Sequence, residues 1–191
     1  RPGSPDGDGE IGFGQSLCGI TGGRLFMKEK HVVVIGGSGF LGSHLADALS
    51  DQGYRVTIFD VLTSPWLQPG QEMIVGDILN ETDVKEALKE ANYVYHLAGI
   101  ADIGKSVASP RETLEKNIIG SANVFDACVQ AKIERLMYAS TIYVYSQHGS
   151  YRVSKQTVEH MLEAYYEQYE LKYTILRYGS LYGPRAQEWN G

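Results

Sequence analysis

Val32-Val33-Val34-Ile35-Gly36-Gly37-Ser38-Gly39-Phe40-Leu41-Gly42-Ser43-His44-Leu45 is the stretch on which the fold turns. Four β-branched residues run into a glycine cluster, and an apolar helical pattern starts at once with Phe40, Leu41 and Leu45. Strand, tight turn and helix in immediate succession is the setting in which a glycine motif can cradle a phosphate. The glycines fit Gly37-x-Gly39-x-x-Gly42 and equally Gly36-x-x-Gly39-x-x-Gly42. Either spacing permits the turn, lets backbone N–H groups approach a pyrophosphate, and leaves no side chain between helix and sheet. The helix N-terminus adds unpaired donors and a partial positive charge.

A second strand follows at Arg55–Asp60, and its last residue is an acid about 20 residues beyond the turn, where a carboxylate can bond a ribose 2′-hydroxyl. An acid there also repels a 2′-phosphate, so NAD is expected over NADP. Onward from Asp60, strands and helices alternate. Strands are predicted at Met73–Val75, Tyr93–Leu97, Arg135–Ala139 and Tyr173–Leu176. Helices are predicted at 39–52, at 81–90 with Asn80 or Thr82 as cap, at 110–131 with Leu114, Ile118, Ala122, Phe125 and Val129 as an apolar stripe, and at 151–169. This alternation implies an α/β fold: a doubly wound parallel sheet, the Rossmann fold, with ligands at the carboxyl ends of its strands.

The bulk properties narrow the function classes. The 191 residues are 43% hydrophobic and 21% charged, ordinary for a globular chain. A net charge of −6 argues against nucleic-acid binding. The two cysteines, Cys18 and Cys128, stand in unrelated contexts and suggest a reducing, cytoplasmic setting with no disulfide or metal framework. No apolar run reaches the length of a membrane span. Residues 1–26, rich in Gly, Pro, Ser and Asp, are expected to be a disordered leader or a remnant foreign to the native protein, with Met27 as the native start.

Thr141, Tyr151 and Lys155 form the candidate catalytic set. Tyr151 and Lys155 stand four apart at a helix start and so share a face. A tyrosine with a pKa near 10 is a poor base at neutral pH, but a neighbouring ammonium and a nicotinamide cation both favour the phenolate. Thr141, at a strand end, can bond the same substrate oxygen. With 13 tyrosines in the chain the Tyr-x-x-x-Lys spacing alone means little, and its bland reading is a solvated helix face. Position after the fifth strand, the strand-end hydroxyl and the upstream glycine motif together give it weight. Cys128 is read as core filler and His96 as a structural strand-end residue, with no metal cluster.

The chain resembles the extended short-chain dehydrogenases/reductases, in the NAD-dependent epimerase/dehydratase group that includes UDP-galactose 4-epimerases. The resemblance rests on Gly36–Gly42 with Ser43-His44, Asp60, Gly76-Asp77, His96-Leu97-Ala98-Gly99, Asn117, Ser140-Thr141 with Val144-Tyr145, Tyr151-x-x-x-Lys155, and Arg177-Tyr178 through Tyr182-Gly183-Pro184-Arg185. It implies an NAD site built from Gly36, Gly37, Gly39, Phe40, Leu41, Gly42, Asp60, Asp77, Ile78, Leu97, Ala98, Gly99, Asn117, Tyr151, Lys155 and Tyr178. Asp77 and Ile78 would flank the adenine, Asn117 would stabilise its helix, and Lys155 would hold the nicotinamide ribose. It further implies a nucleotide-sugar epimerase or related sugar oxidoreductase that oxidises a sugar carbon transiently and returns the hydride, and a homodimer for the full-length protein.

Departures from the family pattern carry information too. Ile142 and Tyr143 stand where the dehydratases carry an Asp-Glu pair, so elimination of water is disfavoured. Only nine residues separate Thr141 from Tyr151, and Ser180 replaces a frequent substrate-contacting asparagine. Residues 27–185 are thus expected to form the NAD-binding domain and 186–191 the start of a truncated substrate domain, the chain being a fragment of a longer protein. The alternatives are a non-catalytic NAD(H)-binding regulatory module and an inactive truncation.

Overall fold

The structure, a computed structural model, describes residues 30–145 and 149–186. The expected leader at 1–26, Cys18, and residues 187–191 of the expected substrate-domain start lie outside the described residues. Six strands, β1 (His31–Ile35), β2 (Arg55–Asp60), β3 (Glu72–Val75), β4 (Tyr93–His96), β5 (Arg135–Thr141) and β6 (Tyr173–Tyr178), form one sheet in the order β3-β2-β1-β4-β5-β6. Every neighbouring pair is parallel, as the alternating pattern requires. All five residues of β1 are buried, which explains why its sequence is a continuous apolar run rather than an alternating one.

The helices are α1 (Phe40–Asp51), α2 (Glu81–Leu88), α3 (Ile103–Ala108), α4 (Pro110–Leu114), α5 (Gly120–Ala131) and α6 (Gly149–Tyr169). Asn80 settles the start of α2, its side-chain oxygen accepting from the N–H groups of Thr82 and Asp83. Helix α3 was not anticipated; it is short and rests on an Asp102 cap whose carboxylate accepts from Lys105 N–H. The predicted helix 110–131 is α4 and α5 joined by a π-helical turn at Glu115–Ile119. The buried row along this helix is Thr113, Asn117, Ser121 and Phe125, while the predicted stripe members Leu114 and Ile118 are only half-buried. Near the strand ends the helix faces polar backbone and the candidate site, and amide and hydroxyl side chains meet that demand better than apolar ones.

The sheet order places a switch point between β1 and β4, the only junction where the chain leaves one half of the sheet for the other. Two glycines make the junction possible. Gly36 has φ +84°, donates its N–H to Phe59 O at 2.8 Å, and would drive a Cβ to within 2.6 Å of Ala98 N. At Gly42 a Cβ would stand 2.2 Å from Gly36 O and 2.7 Å from Gly37 Cα, backbone that has nowhere to go. Gly42→Ala is accordingly expected to lower the unfolding free energy by roughly 3 kcal/mol. Gly70→Ala, in open space and opposed only by a φ of +90°, should cost about 1 kcal/mol. Urea midpoints of the two variants check this; equal losses would refute the steric account.

Candidate active site

The carboxyl ends of β1, β2, β4, β5 and β6 open into one cavity of about 520 Å³. At its floor, α1 begins directly after the glycine turn. Gly39 is the N-cap, no side chain caps the helix, and no acidic residue stands in its first turn. Its first N–H groups are therefore free to meet an anion. Gly36, Gly39, Phe40, Leu41 and Gly42 all line this region, and Gly37 does not. A Cβ at Gly37 would press on Ile58 at 2.8 Å, so that glycine serves packing against β2.

Asp60, Asp77, Ile78, Leu97, Ala98, Gly99 and Tyr178 continue the lining. The Asp60 carboxylate does more than wait for a ribose. Its Oδ2 accepts from Ser38 N–H at 3.0 Å, tying the tip of the glycine turn to the end of β2, and Ser38 Oγ donates to Leu62 O at 2.7 Å. Sequence reasoning passed over Ser38; its place as the one polar residue inside the glycine cluster was the available signal. The Asp77 carboxylate accepts from Leu79 N–H at 2.9 Å.

Asn117 lies behind the wall rather than in it. From the π-turn its Oδ1 accepts from Ile100 N–H at 2.7 Å, while its Nδ2 donates to Ile100 O at 3.0 Å and to Ser154 Oγ at 2.9 Å. The amide thus clamps the loop after β4 to α6, one residue from Lys155. His96, fully buried beneath it, is held neutral by burial and then by the charge of Lys155, its pKa falling to about 3. Ser121 Oγ already donates to Asn117 O at 2.6 Å, so the His96 Nε2 contact at 2.9 Å makes His96 the donor and fixes its tautomer. Cys128 is fully buried and burial pushes its thiol up, which leaves it inert packing as expected.

Thr141, Tyr151 and Lys155 come together on the far wall, Thr141 from the last residue of β5 and the other two from the first turns of α6. Tyr151 is 9% exposed and Lys155 6%, which rules out a solvated helix face. Lys155 Nζ donates to Ala139 O at 2.8 Å, stands 4.8 Å over the Tyr138 ring and 6.0 Å from the centroid of the Tyr151 ring. Burial lowers its pKa to about 8 against an opposing pull from Glu159. The expected lowering of the Tyr151 pKa is not what these side chains alone produce. Burial raises it, the Thr141 hydroxyl opposes, and Tyr143 adds to the rise. Sequence reasoning also missed Glu159, although it continues the four-residue spacing Tyr151, Lys155, Glu159.

The chain's relatives identify its family. The NAD dependent epimerase/dehydratase family pattern matches residues 32–190. The chain belongs to that family. It is 30% identical over 185 residues to a UDP-N-acetyl-alpha-D-glucosaminuronate decarboxylase of Bacillus cytotoxicus, covering 84% of this chain and 57% of the relative. Among solved structures, a Thermus thermophilus UDP-glucose 4-epimerase in complex with NAD superposes with a TM-score of 0.77 at 33% identity, over 84% of this chain and 59% of that one. A Methanobrevibacter ruminantium UDP-N-acetylglucosamine 4-epimerase, in complex with UDP-N-acetylmuramic acid, gives 0.78 at 34% identity, over 85% and 58%. The chain therefore spans less than two thirds of the length of these epimerase-family relatives.

A lysine whose pKa falls from 10.5 to about 8 on folding binds fewer protons in the native state between those values. The native state should gain stability from Lys155 as pH rises from about 8 towards 10.5, and carry the full burial cost below 8. The buried Cys128 thiol acts in the opposite sense above pH 9, but it is common to both proteins when wild type is compared with Lys155→Met. The difference between their urea-denaturation curves should climb over that window. A flat difference would mean that Lys155 is not desolvated.

Proposed function

We propose that this chain is the dinucleotide-binding and proton-handling half of an NAD-dependent nucleotide-sugar epimerase. The observation that carries the proposal is the meeting, in one cavity at a sheet switch point, of the uncapped helix start at Gly39, the strand-end acid Asp60 and the buried set Thr141, Tyr151 and Lys155. The residues present fit the cofactor. The first turn of α1 would take the pyrophosphate, Asp60 the adenosine ribose, Asp77 and Ile78 the adenine surround, and Lys155 the nicotinamide ribose. Bound there, NAD would supply reversible hydride acceptance.

The chain's own residues handle the proton. Thr141 and Tyr151 would address one substrate hydroxyl, with Tyr151 taking its proton as the carbon is oxidised and returning it on reduction. The positive charge of Lys155 favours the phenolate, countering the rise that burial imposes on Tyr151. Epimerisation is favoured over dehydration by the absence of an acid beside Thr141. The residues after Thr141 are Ile142 and Tyr143, neither of which is an acid.

A titration following nicotinamide fluorescence tests the cofactor site. NADH should bind saturably and in preference to NADPH. Asp60→Asn retains an acceptor for Ser38 but loses the charge, and should weaken NADH by about tenfold or more while narrowing the discrimination. Absence of NADH binding by the folded chain would end the proposal. In the full-length protein, Tyr151→Phe should lower epimerase turnover by roughly 100-fold or more; retained activity would remove Tyr151 from its role.

A further inference from the structure

Glu159, on α6, is a carboxylate only 6% exposed that does not line the cavity. Three hydrogen bonds hold it. Ser140 Oγ donates to Oε1 at 2.5 Å, Arg177 Nε donates to the same oxygen at 3.0 Å, and an Arg177 terminal nitrogen donates to Oε2 at 2.6 Å. Arg177 comes from β6 and rests on the Tyr145 ring at 5.1 Å. Ser140 lies between Thr141 and Ala139, whose carbonyl accepts from Lys155 Nζ. The acid therefore touches the strand end that carries both Thr141 and the anchor of Lys155, and it sits one helical turn beyond Lys155 on the same helix.

From this geometry we infer that Glu159 is a positioning residue whose fixed negative charge keeps Lys155 in its ammonium form inside the site, with Arg177 limiting how strongly it does so. The inference deepens the proposed function, because the use of an ammonium at this point rests on the role given to Lys155 there.

The surroundings of Lys155 leave few other candidates. Tyr138 of β5 offers a ring face and His96 of β4 is neutral, so neither supplies a negative charge. Tyr151 of α6 stays protonated in the absence of ligand, since burial raises its pKa. The charge of Glu159 acts to raise the Lys155 pKa against the larger effect of burial. Burial works against the charge of Glu159 as well, yet the hydrogen bonds from Arg177 and Ser140 outweigh it and keep the carboxyl below its usual range. Potentials add, so the Arg177 cation bonded to Glu159 offsets part of the field that the carboxylate exerts on Lys155. Removing the acid and removing the arginine should therefore move Lys155 in opposite directions, and a purely structural role for the pair predicts no such opposition.

The test reads Lys155 itself, without cofactor or substrate. The chain is labelled with ¹³C-lysine, and the Lys155 side-chain resonance, assigned by its absence in Lys155→Met, is titrated from pH 6 to 11. Wild type should titrate near pH 8. Glu159→Gln should lower the midpoint by about one pH unit, the scale set by a unit charge one helical turn away in a partly desolvated site. Glu159→Asp should return most of that shift, and Arg177→Gln should raise the midpoint above wild type. If Glu159→Gln fails to fold, Arg177→Gln decides alone through the sign of its shift. Unmoved midpoints, or shifts of the same sign in Glu159→Gln and Arg177→Gln, would overturn the inference. Because no dinucleotide is present, that failure is distinct from a failure to bind NADH.

Discussion

Backbone contact between the glycine turn and the first residues of α1 is the constraint on which the site depends. With Gly42 lacking a side chain, the helix axis approaches the turn closely enough for Gly36 O to occupy the space of a Cβ. With Gly36 in the left-handed region, the end of β1 passes between the ends of β2 and β4. These two close approaches point the first turn of α1 into the cavity and bring Ala98 and Gly99 to its opposite wall. An arrangement that relies on backbone against backbone is stiff, since no rotamer can absorb a misfit. The glycine-turn side of the cavity is accordingly pre-formed.

The wall that carries Thr141, Tyr151 and Lys155 follows a different logic, in which burial sets the terms. Burial pulls Lys155 down and pushes Tyr151 up, each towards its neutral form. Specific partners then oppose the trend: Glu159 for the lysine, Thr141 for the tyrosine. Burial prevails at both groups, so a ligand that carries charge into the cavity meets a lysine already near its titration point and a tyrosine held protonated.

Sequence reading reached the fold because its main signals are local. The apolar run of β1, the glycine turn, the Asn80 cap and the hydroxyl at the end of β5 each act within a few residues. It also placed Tyr151 and Lys155 on one helix face and Thr141 at a strand end, and the structure brings all three to one cavity. It did not reach contacts closed across the sheet. Asn117 reaches back 17 residues to Ile100 and forward 37 to Ser154, and Arg177 reaches back 18 residues to Glu159. Ser38 pairs with Asp60 over 22 residues. Those partners are set by strand order, which periodicity does not encode. The apolar stripe through Leu114 and Ile118 misled for a related reason: near a strand end, the buried face of a helix must satisfy polar backbone.

The π-turn at Glu115–Ile119 bears on how this stretch tolerates length change. In a regular α-helix, side chains four apart drift by about 40° per step, so Thr113, Asn117, Ser121 and Phe125 would spiral off a common face. The wider turn takes up part of that drift, and all four remain buried. The surplus residue is absorbed inside this turn. Deleting one residue between 115 and 119 would let the helix relax to a regular α form with α4 and α5 in nearly their present phase, since the wider turn spreads one extra residue over about the rotation that four residues cover in an α-helix. The cost of such a deletion falls instead on Asn117, whose amide stands inside the widened turn and would lose its placement against Ile100 and Ser154 although the helices on either side keep theirs.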